Sequence, residues 1–426
     1  MRVLVVGGGG REHALVWGLA RNLAIDRMYA APGNAGIAEL ATPVAIAAAD
    51  VPGLADFAER ESIDLTVVGP EAPLVAGLAD ELQARGLPVF GPTREAARIE
   101  GSKAYARALC ERHGIPAPRA RDFTDYDEAK AYLGELDPPF VVKADGLAGG
   151  KGVTVTEDRA AAQRALAACL VDRAFGDAGA RVLLEEHLEG EEVSVQALTD
   201  GTTVLPLSPA QDHKRALDGD EGPNTGGMGA YSPVPFVRRS DQEVIEEDIL
   251  QAAVRGLALE GVRYSGVLYA GVMLTSEGPK VLEFNCRFGD PETQAIVPRI
   301  GSDLGETLLA CVEGNLSSYR PRWDPRSCVT VVVAVEGYPG DYPTGMPIEG
   351  LARASEMEDV VVFHSGTAKR DGRVVTAGGR VLSVSALGKD LGVARDRAYE
   401  ACSPIHFEGM RYRRDIAERA VGVAGG

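Results

Sequence analysis

Residues 281–294 read VLEFNCRFGDPETQ, a strand that runs directly into a cluster of charges. Alternation along a strand sends Leu282 and Phe284 toward a core, and Glu283 and Asn285 together to the opposite face. Two neighbouring oxygen donors suit a hard cation such as Mg2+ or Mn2+, whose other positions are left to water or phosphate oxygens. Arg287, Asp290 and Glu292 follow within one turn-like segment, so a cation site adjoins charges able to grip a small zwitterion. A Glu-x-Asn pair alone is more often a solvated strand face than a metal site, so the rest of the chain must supply the meaning.

The second informative stretch is 141–153, VVKADGLAGGKGV. It sets Lys143 at the end of a buried strand and surrounds Lys151 with Gly146, Gly149, Gly150 and Gly152, before a further strand at 153–156. Such glycines let backbone N–H groups close over phosphate oxygens. It is not a Walker A loop, because Asp145 stands where the first glycine belongs and Gly152 replaces the Ser or Thr after the lysine. Strand, loop and strand in succession predict a flap over a nucleotide. The segment 185–192, EEHLEGEE, is acidic, and a strand follows it with Glu192 and Ser194 on one face. Between 208 and 231 lies a long polar segment holding Asp212, His213, Lys214 and the run NTGGMG at 224–229. A loop of that length without secondary structure is uncommon unless it binds something.

Farther out, residues 2–6 (RVLVV) form a strand that ends in four glycines, 7–10, before a helix-like stretch at 12–22. A glycine turn at a helix N-terminus offers free N–H groups to a phosphate. The dinucleotide fingerprint fits poorly: with Gly7 and Gly9 as its first two glycines, Glu12 takes the third place, and AAPGNAG at 30–36 lacks the expected acid. A strand at 65–68 opens onto Glu71, at the strand end where parallel sheets bind ligands. Helices are expected at 101–111, capped by Ser102, and at 127–133, 160–170, 240–259 and 303–312. Strands are expected at 266–274 and 280–285. Proline-rich stretches at 113–119 and 319–326 read as connectors, and residues 328–426 carry little that looks catalytic.

The 426 residues have room for about two to four domains. A 45% hydrophobic and 25% charged composition is that of a soluble globular protein, and no apolar run approaches the ~20 residues that span a bilayer. No signal peptide is visible, and six scattered cysteines without a CxxC pair argue for reduced thiols in the cytoplasm. A net charge of −18 disfavours nucleic acid as a partner.

A lysine-bearing strand with a glycine loop, an acidic segment and a Glu-x-Asn strand about ninety residues later together resemble the ATP-grasp superfamily. The resemblance implies ATP held between two α+β subdomains. Lys103 and Lys143 would contact its phosphates under the loop of Gly149, Gly150, Lys151 and Gly152. Glu185 would also belong to the ATP site, the backbone of Glu186 and Leu188 would meet the adenine edge, Glu192 would hold the ribose hydroxyls, and Glu283 and Asn285 the metal.

Further motifs narrow it. GGGGREHA (7–14), PGNAG (32–36), VGPE (68–71), TGGMGAYSP (225–233), RFGDPETQ (287–294) and GGRVLSVSALG (378–388) are similar to the phosphoribosylamine–glycine ligase family, over nearly the whole chain. That family implies ATP-dependent joining of glycine to 5-phosphoribosylamine through a glycyl phosphate, in purine biosynthesis. Lys143, Arg287 and Asp212 would be catalytic, with Arg287 on the glycine carboxylate and Asp290, Glu292 or Asp212 at its ammonium group. Gly227 and Met228 would line the substrate, while Gly9, Gly10 and Asn34 would hold the sugar phosphate and Glu71 the ribose. Transient contact with the enzyme that makes the unstable amine also fits. The implied fold is a Rossmann-like domain at 1–102, an ATP-grasp region at 103–327 with a flap subdomain at about 121–188, and a small α+β domain at 328–426. One departure stands out: the strand before Glu-x-Asn reads GVLYAGVML, without the second acidic metal ligand common in the superfamily. Other ATP-grasp ligases or carboxylases remain the alternative, as does a non-catalytic nucleotide-binding regulator, against which Lys143, Glu283, Asn285 and Arg287 speak.

Overall fold

The computed structural model describes residues 1–148 and 152–424. It has the expected mixed α/β, multidomain architecture with a parallel N-terminal sheet. The apolar runs there are buried on both faces, as parallel sheets require. Five parallel strands stand in the order Thr42–Pro43, Arg27–Pro32, Arg2–Gly7, Leu65–Val68, Val89–Phe90. The sequence order reverses beside Arg2–Gly7, so the turns after Gly7 and Val68 open on the same edge.

Two antiparallel sheets follow. The first pairs Ala120–Phe123, Val182–Glu185, Phe140–Ala144 and Val153–Thr156, and packs with the helices Tyr126–Glu135 and Arg159–Leu170 around a core of its own. The second runs Val204–Pro206, Glu191–Thr199, Gly266–Thr275, Gly278–Asn285. In its last strand the expected alternation breaks. Val272 pairs with Val281 and Gly271 with Glu283, so Leu282 is an extra, bulged residue. Val281 and Phe284 therefore face the core, and Leu282, expected there, lines a cleft instead. Glu283 and Asn285 still share a face.

The polar segment 208–231 is not the structureless loop its composition suggests. It holds the strand Gln211–Asp212 and the hairpin Arg215–Leu217/Glu221–Asn224, and Gly229–Ser232 begins at its end. Gly229–Ser232 is buried and pairs with Ser327–Val335, so it enters the C-terminal sheet with Arg380–Gly388 and Val360–His364. Strands of two to four residues are too short to show a period in the sequence. Residues 239–259 are helical as expected, with a π-helical stretch at Ile245–Gln251. Among the described residues, no helix is long and apolar enough to cross a membrane.

The C-terminal sheet docks on the N-terminal domain through buried histidines. The His364 backbone N–H donates to His13 Nδ1 at 2.7 Å, and the Asn34 side chain donates to Gly8 O and His364 O. Burial, then the neighbouring His364, pushes His13 down to about 3, and burial pushes His364 down to about 4. Both rings are neutral in the fold, whereas the unfolded chain takes up protons near pH 6.5. Stability is therefore full above that value and falls as pH drops toward 4, by ~2 kcal/mol for each histidine near pH 5. Denaturant melts between pH 8 and 5 should show the loss, and His13→Asn should flatten it. An equal slope in the variant would refute the assignment.

Candidate functional site

A cleft of about 360 Å³ is walled by residues of the N-terminal domain, both antiparallel sheets and the C-terminal sheet. Ser102 caps the helix Lys103–His113 by accepting from the Tyr105 N–H at 3.1 Å, and donates to Asp145. This brings Lys103 to the wall, with Nζ 3.2 Å from Gly146 O. Burial lowers the Lys103 pKa, and Glu283 partly opposes the shift.

Behind that wall Glu185 is buried between two cations, 2.5 Å from Lys143 Nζ and 2.7 Å from Arg107 Nε. Burial pushes the Glu185 carboxyl upward, but Lys143 and Arg107 outweigh it and hold the group ionised. Arg107 and Lys143 also donate to the carbonyl of the bulged Leu282, at 2.5 and 3.3 Å. The bulge thus fastens the Glu-x-Asn strand to the flap-side sheet.

Glu283 and Asn285 both face the cleft. Burial would raise the Glu283 carboxyl, but Lys214, Lys143 and Lys103 together carry it below its ordinary value. An ionised carboxylate beside an amide oxygen is a donor set that fits a hard cation. Among the described residues, no group of three or more His, Cys, Asp or Glu side chains could hold a metal ion. A hard cation on Glu283 and Asn285 would need phosphate oxygens or water to complete its shell.

At the other end, Arg287 lies between two carboxylates from the N-terminal part of the chain. Glu71 and Glu100 are each 3.2 Å from it, and its Nη2 also donates to Asn285 Oδ1. Burial, offset by Arg287, raises the Glu100 pKa, and Glu100 also accepts the Cys286 N–H at 2.8 Å. Glu292 begins the helix Glu292–Ile296 and accepts from Ser194 Oγ and Tyr269 OH, both at 2.9 Å. Burial and then Glu292 raise Asp212 well above the ordinary carboxylate range, while Lys214, ion-paired with Glu192, pulls the other way. Burial raises Asp290 too, but Arg380, 3.2 Å away, and Arg11 leave it lowered.

The cleft thus gathers Lys103, Gly152, Glu71, Asp212, Glu283, Asn285, Arg287, Asp290 and Glu292. It does not take Lys143, Glu185, Glu186, Leu188 or Glu192 onto its wall. Glu186 N–H is already spent on Arg119 O at 2.8 Å, and Glu192 on Lys214. Gly9, Gly10, Asn34, Gly227 and Met228 also stand off the wall. Gly9 N–H donates to Glu12 at 2.6 Å, and Met228 N–H to His213 O at 2.8 Å. Gly227, at φ +105°, would drive a Cβ to 2.4 Å from Pro291 Cδ, so the 225–227 loop packs against the turn carrying Asp290. Gly149, Gly150 and Lys151 lie outside the described residues.

Five polar wall residues went unread in the sequence: Arg11, Glu100, Arg107, Tyr269 and Arg380. Arg11 adjoins the glycine turn and had a local signal. Arg380 lies within GGRVLSVSALG on the C-terminal sheet, where the motif carries the resemblance but nothing local marks a cleft residue. It donates to the carbonyls of Gly226 and Asp290 at 2.6 and 2.9 Å besides pairing with the Asp290 carboxylate.

Family models match the chain in three consecutive pieces, described as the phosphoribosylglycinamide synthetase N domain (1–100), ATP-grasp (A) domain (101–293) and C domain (328–419). The chain is 50% identical to a phosphoribosylamine–glycine ligase of Vibrio cholerae and 51% identical to one of Escherichia coli O157:H7, covering 99% of both partners in each case. The crystal structure of the Thermotoga maritima phosphoribosylamine–glycine ligase superposes with a TM-score of 0.86 at 34% identity, over 98% of this chain and all of that one.

Asp212 provides a test independent of turnover. Its folded pKa is raised, so its stabilising contribution is complete below the ordinary carboxylate value and lost as pH rises through the folded one. Asp212→Asn should raise Tm at about pH 8, with the gain vanishing toward about pH 4. A lowered Tm at pH 8 would mean that the ionised form is the stabilising one.

Proposed function

The chain belongs to the phosphoribosylamine–glycine ligase family, and we propose that it joins glycine to 5-phosphoribosylamine with ATP as the phosphoryl donor. The observation that carries this reading is the single cleft in which a lysine-lined end and a Glu-x-Asn strand adjoin a compact set of buried and half-buried carboxylates around Arg287. The division of the chain at about 102 and 327 accompanies it.

In this reading the terminal phosphoryl group of ATP passes to a glycine carboxylate oxygen, leaving ADP and an acyl phosphate. The amine of phosphoribosylamine then attacks the carbonyl carbon. Phosphate departs with the C–O bond electrons, the nitrogen loses a proton, and an amide remains. No protein nucleophile is needed, so catalysis rests on positioning and on balancing charge.

Lys103 meets the phosphates, and Lys143, held by Glu185, reinforces the positive field from behind. A magnesium or manganese ion held by Glu283 and Asn285 would neutralise charge on the moving phosphoryl group. Arg287, rigidly clamped by Glu71 and Glu100, presents its guanidinium to the glycine carboxylate. Asp212, with Glu292 fixed by Ser194 and Tyr269, receives the ammonium group. Arg11, on the cleft wall next to the Gly9–Gly10 turn, faces the sugar phosphate. Six buried, unpaired cysteines fit a reducing compartment, the cytoplasm.

ADP release, followed with phosphoribosylamine generated in place, should require glycine and should not proceed with bicarbonate. Turnover with bicarbonate alone would overturn the reading. Glu283→Gln should lower kcat by ~100-fold or more in a chain that still folds, with Tm lowered rather than raised, since it removes charge at the moving phosphoryl group and a carboxylate stabilised by neighbouring lysines. Normal activity at ordinary Mg2+ would remove Glu283 from the site.

A further inference from the structure

A second cavity, of about 340 Å³, lies away from the cleft, between the strand Glu191–Thr199, the helical run 239–259 and the 319–326 connector. Its floor carries Arg299, whose side chain is a charge without a counter-charge. Arg299 is 5% exposed, and among the described residues no carboxylate lies within ion-pair distance of it. Its Nε donates to Arg326 O at 2.7 Å, and its Nη1 to Ser208 Oγ and Ser232 Oγ, both at 2.6 Å. All three acceptors are neutral, and Nη2 has no hydrogen-bond partner among the described residues. Asp324, the nearest acid by its electrostatic influence, is spent on Arg326. Burial accordingly lowers the Arg299 pKa. Buried charges are ordinarily paired, and an unpaired guanidinium edge facing a cavity is a ready-made anion site.

The walls define what accompanies the anion. Val195, Leu207, Val234 and Ile245 are apolar, and the Trp323 ring stands 5.8 Å from the Arg299 guanidinium. At the rim, Glu246 has a raised pKa through burial and then Glu247. A second negative charge on the ligand would meet that carboxylate, which disfavours a phosphate dianion. We infer that this cavity binds a small aromatic carboxylate, its charge on Arg299 and its ring against Trp323. The location gives binding a route to the main cleft. Val195 shares its strand with Ser194 and Gln196, which hold Glu292 and Gly289 from the opposite face, and Arg299 ends the helical segment that starts at Glu292.

Benzoate serves as the probe. The chain has two tryptophans, Trp17 and Trp323, so a Trp17→Phe background isolates the reporter in the cavity wall. Titration of the full chain should give a saturable change in Trp323 fluorescence with Kd below ~1 mM, and benzamide, the neutral isostere, should bind at least ~10-fold more weakly. Glu246→Gln, a change at the rim, should tighten benzoate by about 2-fold or more, whereas Arg299→Gln should erase the preference for benzoate over benzamide. Should Arg299→Gln not fold, the Glu246→Gln comparison decides alone. No saturable change up to about 10 mM benzoate, equal binding of benzamide, unaltered affinity in Glu246→Gln, or inorganic phosphate binding as tightly as benzoate would each overturn the inference.

Discussion

One guanidinium joins the parts of this protein. Arg287 leaves the end of the Glu-x-Asn strand and lies between Glu71 and Glu100, from two packed helices of the N-terminal domain, while also touching Asn285. Such a half-buried group stays charged because opposite charges surround it; breaking a fully buried pair costs about 3–5 kcal/mol, and less where solvent reaches the pair. The constraint is therefore mutual. The N-terminal domain cannot move from the strand without stranding a charge, and the strand cannot shift its register without dragging Arg287 out of its cage.

The same logic recurs at the lysine end. Glu185 is buried with two cations upon it, and those cations reach on to the carbonyl of Leu282. The β-bulge matters here, because an unbulged strand would turn that carbonyl into the ladder and leave Arg107 and Lys143 without it. Between the two cages, Glu283 is kept ionised by lysines while Asp212 is driven toward protonation by burial and then by Glu292. Two carboxylates in one cleft with opposite tendencies suit two tasks, one facing cations and one facing a group that carries its own proton.

The C-terminal sheet, though poor in obvious chemistry, completes the site by holding backbone. Arg380 spans the carbonyls of the 225–227 loop and of Asp290, Tyr338 OH accepts from the Gly226 N–H, and His364 fixes the Asn34 loop beside the glycine turn. Neutral histidines and a paired arginine make this interface resistant to shear at neutral pH.

Much of this was legible in the chain itself. The apolar runs dictate the parallel sheet, Ser102 caps its helix, and Glu283, Asn285, Arg287, Asp290 and Glu292 share a cleft because two-residue alternation and one turn leave them little choice. Local sequence carries local conformation, and the motif family carried the rest. Three things were decided only by tertiary packing. The bulge at Leu282 depends on the partner strand, and Gly229–Ser232 is a strand because Ser327–Val335 lies beside it. Arg380 and Glu100 acquire their parts from residues 90 and 187 positions away. A charge is an isolated letter in a sequence; what it neutralises is set by distances that only folding creates.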